Sequence, residues 1–258
     1  MITDCLGCSR YRPARYGDCL SCSYLWGGKE RNREFVLRSL YHVMPPDSAA
    51  MANGRQVHEE KARERGVVES VPDIVSGLQS KAEFSWTGLI CSPMHGLRGR
   101  PDSVRVSWAE AEDGRPQLTF TVEEDKGHYS SDFWVQLYGY ALVLSDPHAL
   151  LHNTEGEGLS LYGPIPRPFH VDVKVALSLY STGVTYGPHV FSSDWRVQNE
   201  TGENAVLSVR KMRLQALRDE RDFAQDHQTR FTTSRRSDLH IIHDLGSLRL
   251  MVKRGEKA

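Results

Sequence analysis

Asp102, Glu124 and Lys126 are the residues of this 258-residue chain whose types and spacing best fit a reaction. Hydrolysis of a phosphodiester uses a divalent metal ion to polarise the phosphate and acidify a bound water, and a fixed cation to steady the nucleophile. Two carboxylates on neighbouring strands of a hairpin can converge on such an ion. A lysine two residues beyond the second carboxylate lies on the same face of its strand. The same pair, Glu124 and Lys126, also fits a solvent-facing ion pair in an antiparallel sheet.

The intervening residues supply the hairpin. DSVRVSW alternates Asp102, Val104, Val106 and Trp108 against polar neighbours, AEDGRP is a turn, and LTFTVEEDK is the return strand. On that strand the period of two puts Leu118, Phe120, Val122, Glu124 and Lys126 on one face. Glu123 and Asp125 fall on the other and read as surface charges.

A second group of chemically capable residues lies near the N-terminus. Four of the five cysteines fall in the pattern Cys5-x-x-Cys8, ten residues, Cys19-x-x-Cys22. Paired C-x-x-C turns can bring four thiolates to one tetrahedral zinc ion. An iron–sulfur cluster takes the same ligand number, whereas a reducing compartment argues against two disulfides. Arg10, Arg12 and Arg15 with Tyr11 and Tyr16 could form a nucleic-acid contact or a solvated loop. Cys91 reads as a small buried residue. His240 and His243 read as structural, because their surroundings have strand character. Arg235, Arg236 and the basic residues between Arg210 and Arg221 could line a DNA groove, but interspersed acids favour a solvated helix face.

Around these residues the chain alternates helices and strands. KERNREFVLRSLYHVM reads as a helix stopped by Pro45-Pro46. Asn53-Gly54 opens a second, RQVHEEKARERG, closed by Gly66. Residues 72–86 read as a short helix and a connection, and TGLICSPMHGLRGRPD as close turns. WVQLYGYALVLS reads as a buried helix that Ser131 or Asp132 can cap and Asp146-Pro147 stops. After the polar loop HNTEGEGLSLYGPIPRP, FHVDVKVALSLY and GVTYGPHVF extend the sheet, residues 202–226 form a charged helix, and LHIIHDLGSLRLMV adds a strand or hairpin.

A net charge of -1, with 39% hydrophobic and 25% charged residues, describes an ordinary globular chain. No apolar run reaches the roughly 20 residues of a membrane span. MITDCLGCSRYRPARYGDC has no apolar signal region, so the expected location is the cytoplasm and no membrane partner is expected.

GLRGRPDSV, a hairpin and TVEEDKG together resemble the G-x-x-D and (D/E)-x-K elements of the PD-(D/E)XK nuclease superfamily. NGRQVHEE resembles the helical histidine motif of its RecB-like branch, and Gln136-x-x-x-Tyr140 matches the Q-x-x-x-Y element of that branch. The resemblance spans residues 34–195. It implies that His58, Asp102 and Glu124 are metal ligands with the backbone carbonyl of Asp125, that Lys126 orients the attacking water, and that Gln136 and Tyr140 contact the DNA backbone or buttress Lys126. Taken singly, His58 also reads as a structural imidazole and Tyr140 as a core tyrosine, while a buried Gln136 must find polar partners. CRISPR-adaptation relatives place one cluster cysteine before the nuclease core and three after it. This chain has no cysteine after Cys91, which favours zinc over a cluster at the N-terminal four.

The expected fold is α/β, a restriction-endonuclease-like central mixed sheet flanked by the His58 and Gln136 helices. Residues 1–27 are expected to form a four-cysteine metal-binding knuckle and residues 28–258 the nuclease domain. The expected function is Mg²⁺- or Mn²⁺-dependent hydrolysis of DNA, on single strands or at ends. A non-catalytic nucleic-acid-binding or assembly module on the same fold is the alternative, as is an RNA-directed nuclease.

Overall fold

The computed structural model describes residues 19–40, 49–153, 158–192, 196–197 and 200–233. Cys5, Cys8, the Arg and Tyr residues between Cys8 and Cys19, Arg235, Arg236, His240, His243 and the expected last strand lie outside them.

Strand β1 (Leu20–Ser21) leads through a single 3-10 turn (Cys22–Tyr24) to helix α1 (Arg31–Leu40). Helices α2 (Ala49–Glu64) and α3 (Val71–Gln79) follow, then strands β2 (Phe84–Trp86), β3 (Leu89–Ser92), β4 (Leu97–Gly99), β5 (Ser103–Glu110) and β6 (Pro116–Lys126). Helix α4 (Phe133–Ser145) precedes β7 (Leu150–His152), β8 (Gly158–Ser160), β9 (His170–Leu179) and β10 (Val184–Val190). A small pair, β11 (Arg196–Val197) and β12 (Glu200–Thr201), ends at the long helix α5 (Gly202–Thr233).

The protein is α/β, with two mixed five-stranded sheets. One runs β10-β9-β6-β5-β2 and the other β1-β4-β3-β7-β8. In the first, β6 is antiparallel to β5 but parallel to β9, so the chain must cross over between β6 and β9. Helix α4 is part of that crossover. It touches β6 and β9 of one sheet and β3 and β4 of the other, which explains its apolar character on every side. The expected hairpin is present, with Ser103 opposite Glu123 and Glu110 opposite Pro116. Gly114 makes its turn with φ +76°.

The described residues divide into two compact units. One holds residues 19–26 and the chain from α2 to Arg210, and so contains both large sheets. The other holds residues 27–40 and the part of α5 beyond Arg210. Within this second unit Phe35, Val36, Leu214 and Leu217 are buried. Arg213 is buried too, donating to the Gly27 and Gly28 carbonyls and to the Asn32 side chain. It is therefore not part of a solvated helix face.

Several local expectations need correction. Helix α2 begins at Ala49, so Asn53 and Gly54 lie inside it instead of opening it, while Gly66 does follow its end with φ +59°. Residues 84–99, expected as a connection and turns, form β2, β3 and β4. Their strands are three or four residues long, too short for a period of two to emerge. The polar loop after α4 likewise carries β8, and its first residue, His152, ends β7. Asp132 is the N-cap of α4, but its side chain makes no capping bond.

Gly139 is the point at which α4 admits the Cys22–Tyr24 turn and its successor Leu25. A Cβ there would fall 2.2 Å from Leu25 Cδ1 and 3.2 Å from Cys22 Sγ. Glycine-to-alanine in a helix interior ordinarily stabilises by about 0.5–1 kcal/mol. Here overpacking against fully buried Leu25 reverses the sign. Gly139→Ala is expected to destabilise the protein by about 1–3 kcal/mol in urea denaturation; a more stable variant would show that the turn does not pack on α4.

Candidate metal centre

Helix α2 carries His58 and Lys61, and Arg65 in the turn that ends it still donates its N–H to the Lys61 carbonyl, so the three, at spacings of three and four, share one face. Asp102 sits one residue before β5, beside the end of β6 that carries Glu123, Glu124, Asp125 and Lys126. Backbone bonds lock these two segments together. The Asp125 N–H donates to Asp102 Oδ2 at 2.8 Å, and the Asp102 N–H donates to Glu124 Oε1 at 3.4 Å.

On the outer side of this junction His58 Nδ1 is 3.2 Å from Asp102 Oδ1. The contact has an ion-pair distance without hydrogen-bond geometry, and Nδ1 is buried with no hydrogen-bond partner among the described residues. Asp102 holds the His58 pKa above its ordinary value despite partial burial. One ligand atom from each of His58, Asp102 and Asp125 lies within 4.8 Å of the other two.

Glu124 points to the opposite face of β6 and is 2% exposed. Lys126 Nζ donates to its Oε2 at 2.8 Å and Gln136 Nε2 donates to the same oxygen at 3.0 Å. The solvent-facing ion pair is therefore replaced by a buried one. Gln136 Nε2 also donates to Tyr140 OH at 3.2 Å, and that hydroxyl donates to the Arg100 carbonyl at 3.2 Å. This chain fixes Glu124 from the α4 side, while Gln136 Oε1 has no partner among the described residues. Burial, and next the negative charge of Asp102, raise the Glu124 pKa to about 7.

Asp125 is not a surface charge. It is 1% exposed, with Lys61 Nζ at 2.5 Å from Oδ1 and Arg65 Nη1 at 2.7 Å from Oδ2. Burial alone would raise its pKa, but the bonds to Arg65 and Lys61 outweigh it and hold the carboxyl below its ordinary range. Arg65 also bonds Glu123 at 2.7 Å, and Ser178 Oγ donates to the same Glu123 oxygen at 2.6 Å. Lys61 and Arg65 carry a signal in the sequence, since they lie three and seven residues after His58.

Tyr180 closes another side of the centre. Its N–H donates to the Lys126 carbonyl at 3.0 Å, and its ring meets His58 edge-on at 6.4 Å. A Cβ at Gly127 would lie 2.8 Å from the Tyr180 hydroxyl, so a larger residue there would displace the Tyr180 side chain.

No protein-family model matches the chain, and no curated protein matches it significantly. All six side chains expected in the site, His58, Asp102, Glu124, Lys126, Gln136 and Tyr140, gather around the junction of β5 and β6. An imidazole nitrogen left without a hydrogen bond, beside a half-exposed carboxylate, suits a divalent cation such as Mn²⁺, which accepts nitrogen and oxygen donors. The Asp125 carboxylate is already neutralised by two cations, which leaves its backbone carbonyl as the more natural donor from that residue.

Of the cysteine pattern, Cys19 and Cys22 are described and both are buried. Cys19 Sγ lies 3.2 Å from Cys91 Sγ, so Cys91 is buried as expected but has a sulfur neighbour that its place in the sequence does not reveal. Cys22 rests against Gly99 and Gly139. Burial pushes its thiol well above the ordinary pKa, and a thiolate there needs a cation beside it.

Removing Arg65 strips Asp125 of one cation and leaves a buried carboxylate incompletely compensated. Arg65→Ala is expected to cost about 2–4 kcal/mol of stability, and Arg65→Ala with Asp125→Asn distinctly less. Additive losses in urea denaturation would show that the pair is not coupled.

Proposed function

We propose that this protein is a metal-dependent nuclease with a restriction-endonuclease-like core, hydrolysing DNA on single strands or at ends. The observation that carries the reading is the convergence of His58, Asp102, Glu124, Lys126, Gln136 and Tyr140. Four separate stretches of chain supply them to one connected site. A chance D…E-x-K pattern gives no reason for a glutamine and a tyrosine from another element to hold that same glutamate.

His58, Asp102 and Glu124, with the Asp125 carbonyl, would hold Mg²⁺ or Mn²⁺. The ion, when bound, polarises the phosphate and acidifies a water. Lys126 holds its ammonium beside Glu124, where it can steady a developing hydroxide and neutralise charge on the phosphate. Gln136 restrains the Glu124 carboxylate and Tyr140 restrains Gln136, so the pair sets the direction of that carboxylate. Lys61 and Arg65 hold Asp125 from the other side, which fixes the backbone through which Asp102 is oriented.

Glu124→Ala and Lys126→Ala are each expected to lower Mn²⁺-dependent cleavage of labelled single-stranded DNA by about 100-fold or more, with the fold intact by circular dichroism. Unchanged cleavage would remove this site from the reaction. Cleavage confined to a matched RNA oligonucleotide would transfer the reading to RNA.

Zinc at Cys5, Cys8, Cys19 and Cys22 belongs to the same proposal. Metal analysis of protein purified without oxygen is expected to give one zinc per chain, reduced by Cys19→Ser or Cys22→Ser and kept by Cys91→Ser. Iron in its place would assign the cysteines to an iron–sulfur cluster.

A further inference from the structure

Outside the metal centre, four of the eight exposed large apolar side chains among the described residues come from one part of the fold. Tyr129, Val184, Tyr186 and Val190 all belong to β10 or to the segment between β6 and α4. Two of them are aromatic and ordered against each other: the Tyr129 and Tyr186 rings lie 5.1 Å apart, although they are 49% and 39% exposed. Trp134 Nε1 donates to Tyr129 OH at 3.3 Å, and the Trp134 ring lies 5.3 Å from His189. Four rings thus form one continuous surface.

The backbone is shaped to make that surface. Tyr186 pairs with Leu177 and His189 with Val175, so three steps along β10 match two along β9. Without the extra residue, side chains three apart would face opposite sides of the sheet. The bulge, with Gly187 at φ +98°, turns both rings to one face. Leu177 and Val175 pair in turn with Glu124 and Val122 of β6, so this is the face that carries Glu124.

The rings also connect to the centre. Lys126 Nζ lies 5.3 Å from the centroid of Phe133, the residue before Trp134. His128, exposed, lies 5.6 Å from Phe133 on the same path. Tyr186 stands in the same cross-strand row as Glu124, two strands away, or about 10 Å. A stacked strand rises about 3.4 Å per nucleotide, so the rings fall about three nucleotides from the carboxylate.

We infer that Tyr129 and Tyr186, backed by Trp134 and His189, form a stacking platform for the unpaired bases of a DNA single strand whose backbone enters the Glu124–Lys126 site. The inference takes its substrate from the nuclease reading and adds how a single strand is selected. Every base has a π-face and a duplex offers none along its length, so exposed rings beside a phosphate-cleaving site select unpaired strands without reading sequence.

The test compares a fluorescent twelve-residue oligothymidylate with an abasic strand of the same length, in Ca²⁺, for the wild type, Tyr129→Ala/Tyr186→Ala and Tyr129→Phe/Tyr186→Phe. The wild type is expected to bind the base-bearing strand at least about ten-fold more tightly. The alanine pair is expected to lose that preference with abasic binding unchanged, and the phenylalanine pair to keep it.

Equal binding of the two strands by the wild type, or an alanine pair that keeps the preference, overturns the platform. So does a dimer that the alanine pair converts to monomer while no base preference exists, because the rings then serve a second copy of the chain. Cleavage in Mn²⁺ is read separately. Lys126-dependent cleavage without base preference leaves the nuclease reading standing and removes the platform. Base-dependent binding without cleavage in Mg²⁺ or Mn²⁺ does the reverse.

Discussion

Two consecutive carboxylates are buried on opposite faces of one strand, and the surrounding structure is organised around that cost. Glu124 and Asp125 are both nearly inaccessible at the end of β6. Desolvating a carboxylate costs several kcal/mol even in a relaxed protein interior, and neither side chain can use the other's partners because a strand sends them apart. Each face must therefore bring its own compensation. On one side it is Lys126 and the amide of Gln136; on the other it is Lys61 and Arg65. This explains why the strand is covered by α4 on one face and reached by α2 on the other.

The two halves of this arrangement differ in completeness. Asp125 has an excess of cationic donors and a depressed pKa, so it is a settled structural anion. Glu124 shares one lysine with a neighbourhood that includes Asp102, and its pKa is raised to about 7. Opposite shifts on adjacent residues of the same strand separate a carboxylate whose charge is fully compensated from one whose charge is compensated only in part. Asp102 links them: one of its oxygens accepts from the Asp125 N–H while the other faces His58. A disturbance at Arg65 can therefore reach His58 through three short contacts, by way of Asp125 and Asp102 and without any movement of α4.

The hairpin of Asp102 to Lys126 was legible because its strands are long enough for alternation to appear and its turn contains Asp113-Gly114. Gln136 and Tyr140 were legible as a pair chiefly through the resemblance to the Q-x-x-x-Y element, and the need of a buried Gln136 for polar partners followed from the apolar helix around it. The role of Asp125 was not legible. Period-two reasoning correctly put it opposite Glu124, but took the opposite face for solvent; whether that face is covered depends on where the end of α2 packs, and whether the strand is interior depends on its parallel pairing with β9, both long-range facts. Strands β2, β3 and β4 were hidden by shortness, and the meeting of Cys19 with Cys91 joins residues 72 positions apart. Lys61 and Arg65 were visible as a helical stripe with His58, yet nothing local says that acids await them.

The same long-range pairing governs what lies beyond the centre. Because β9 runs parallel to β6, its end brings Tyr180 next to Lys126, and the turn into β10 sends the chain back along the neighbouring edge. The bulge at Gly187 then decides which face receives Tyr186 and His189. A regular β10 would carry Tyr186 with His189 turned away, and Trp134 would lose its neighbouring ring. The one extra residue in an exposed edge strand also breaks the regular row of backbone groups that would invite another strand to pair there. A single local irregularity thus makes the edge less suited to sheet extension and more suited to presenting rings beside Glu124, and both effects follow from the same shift in register.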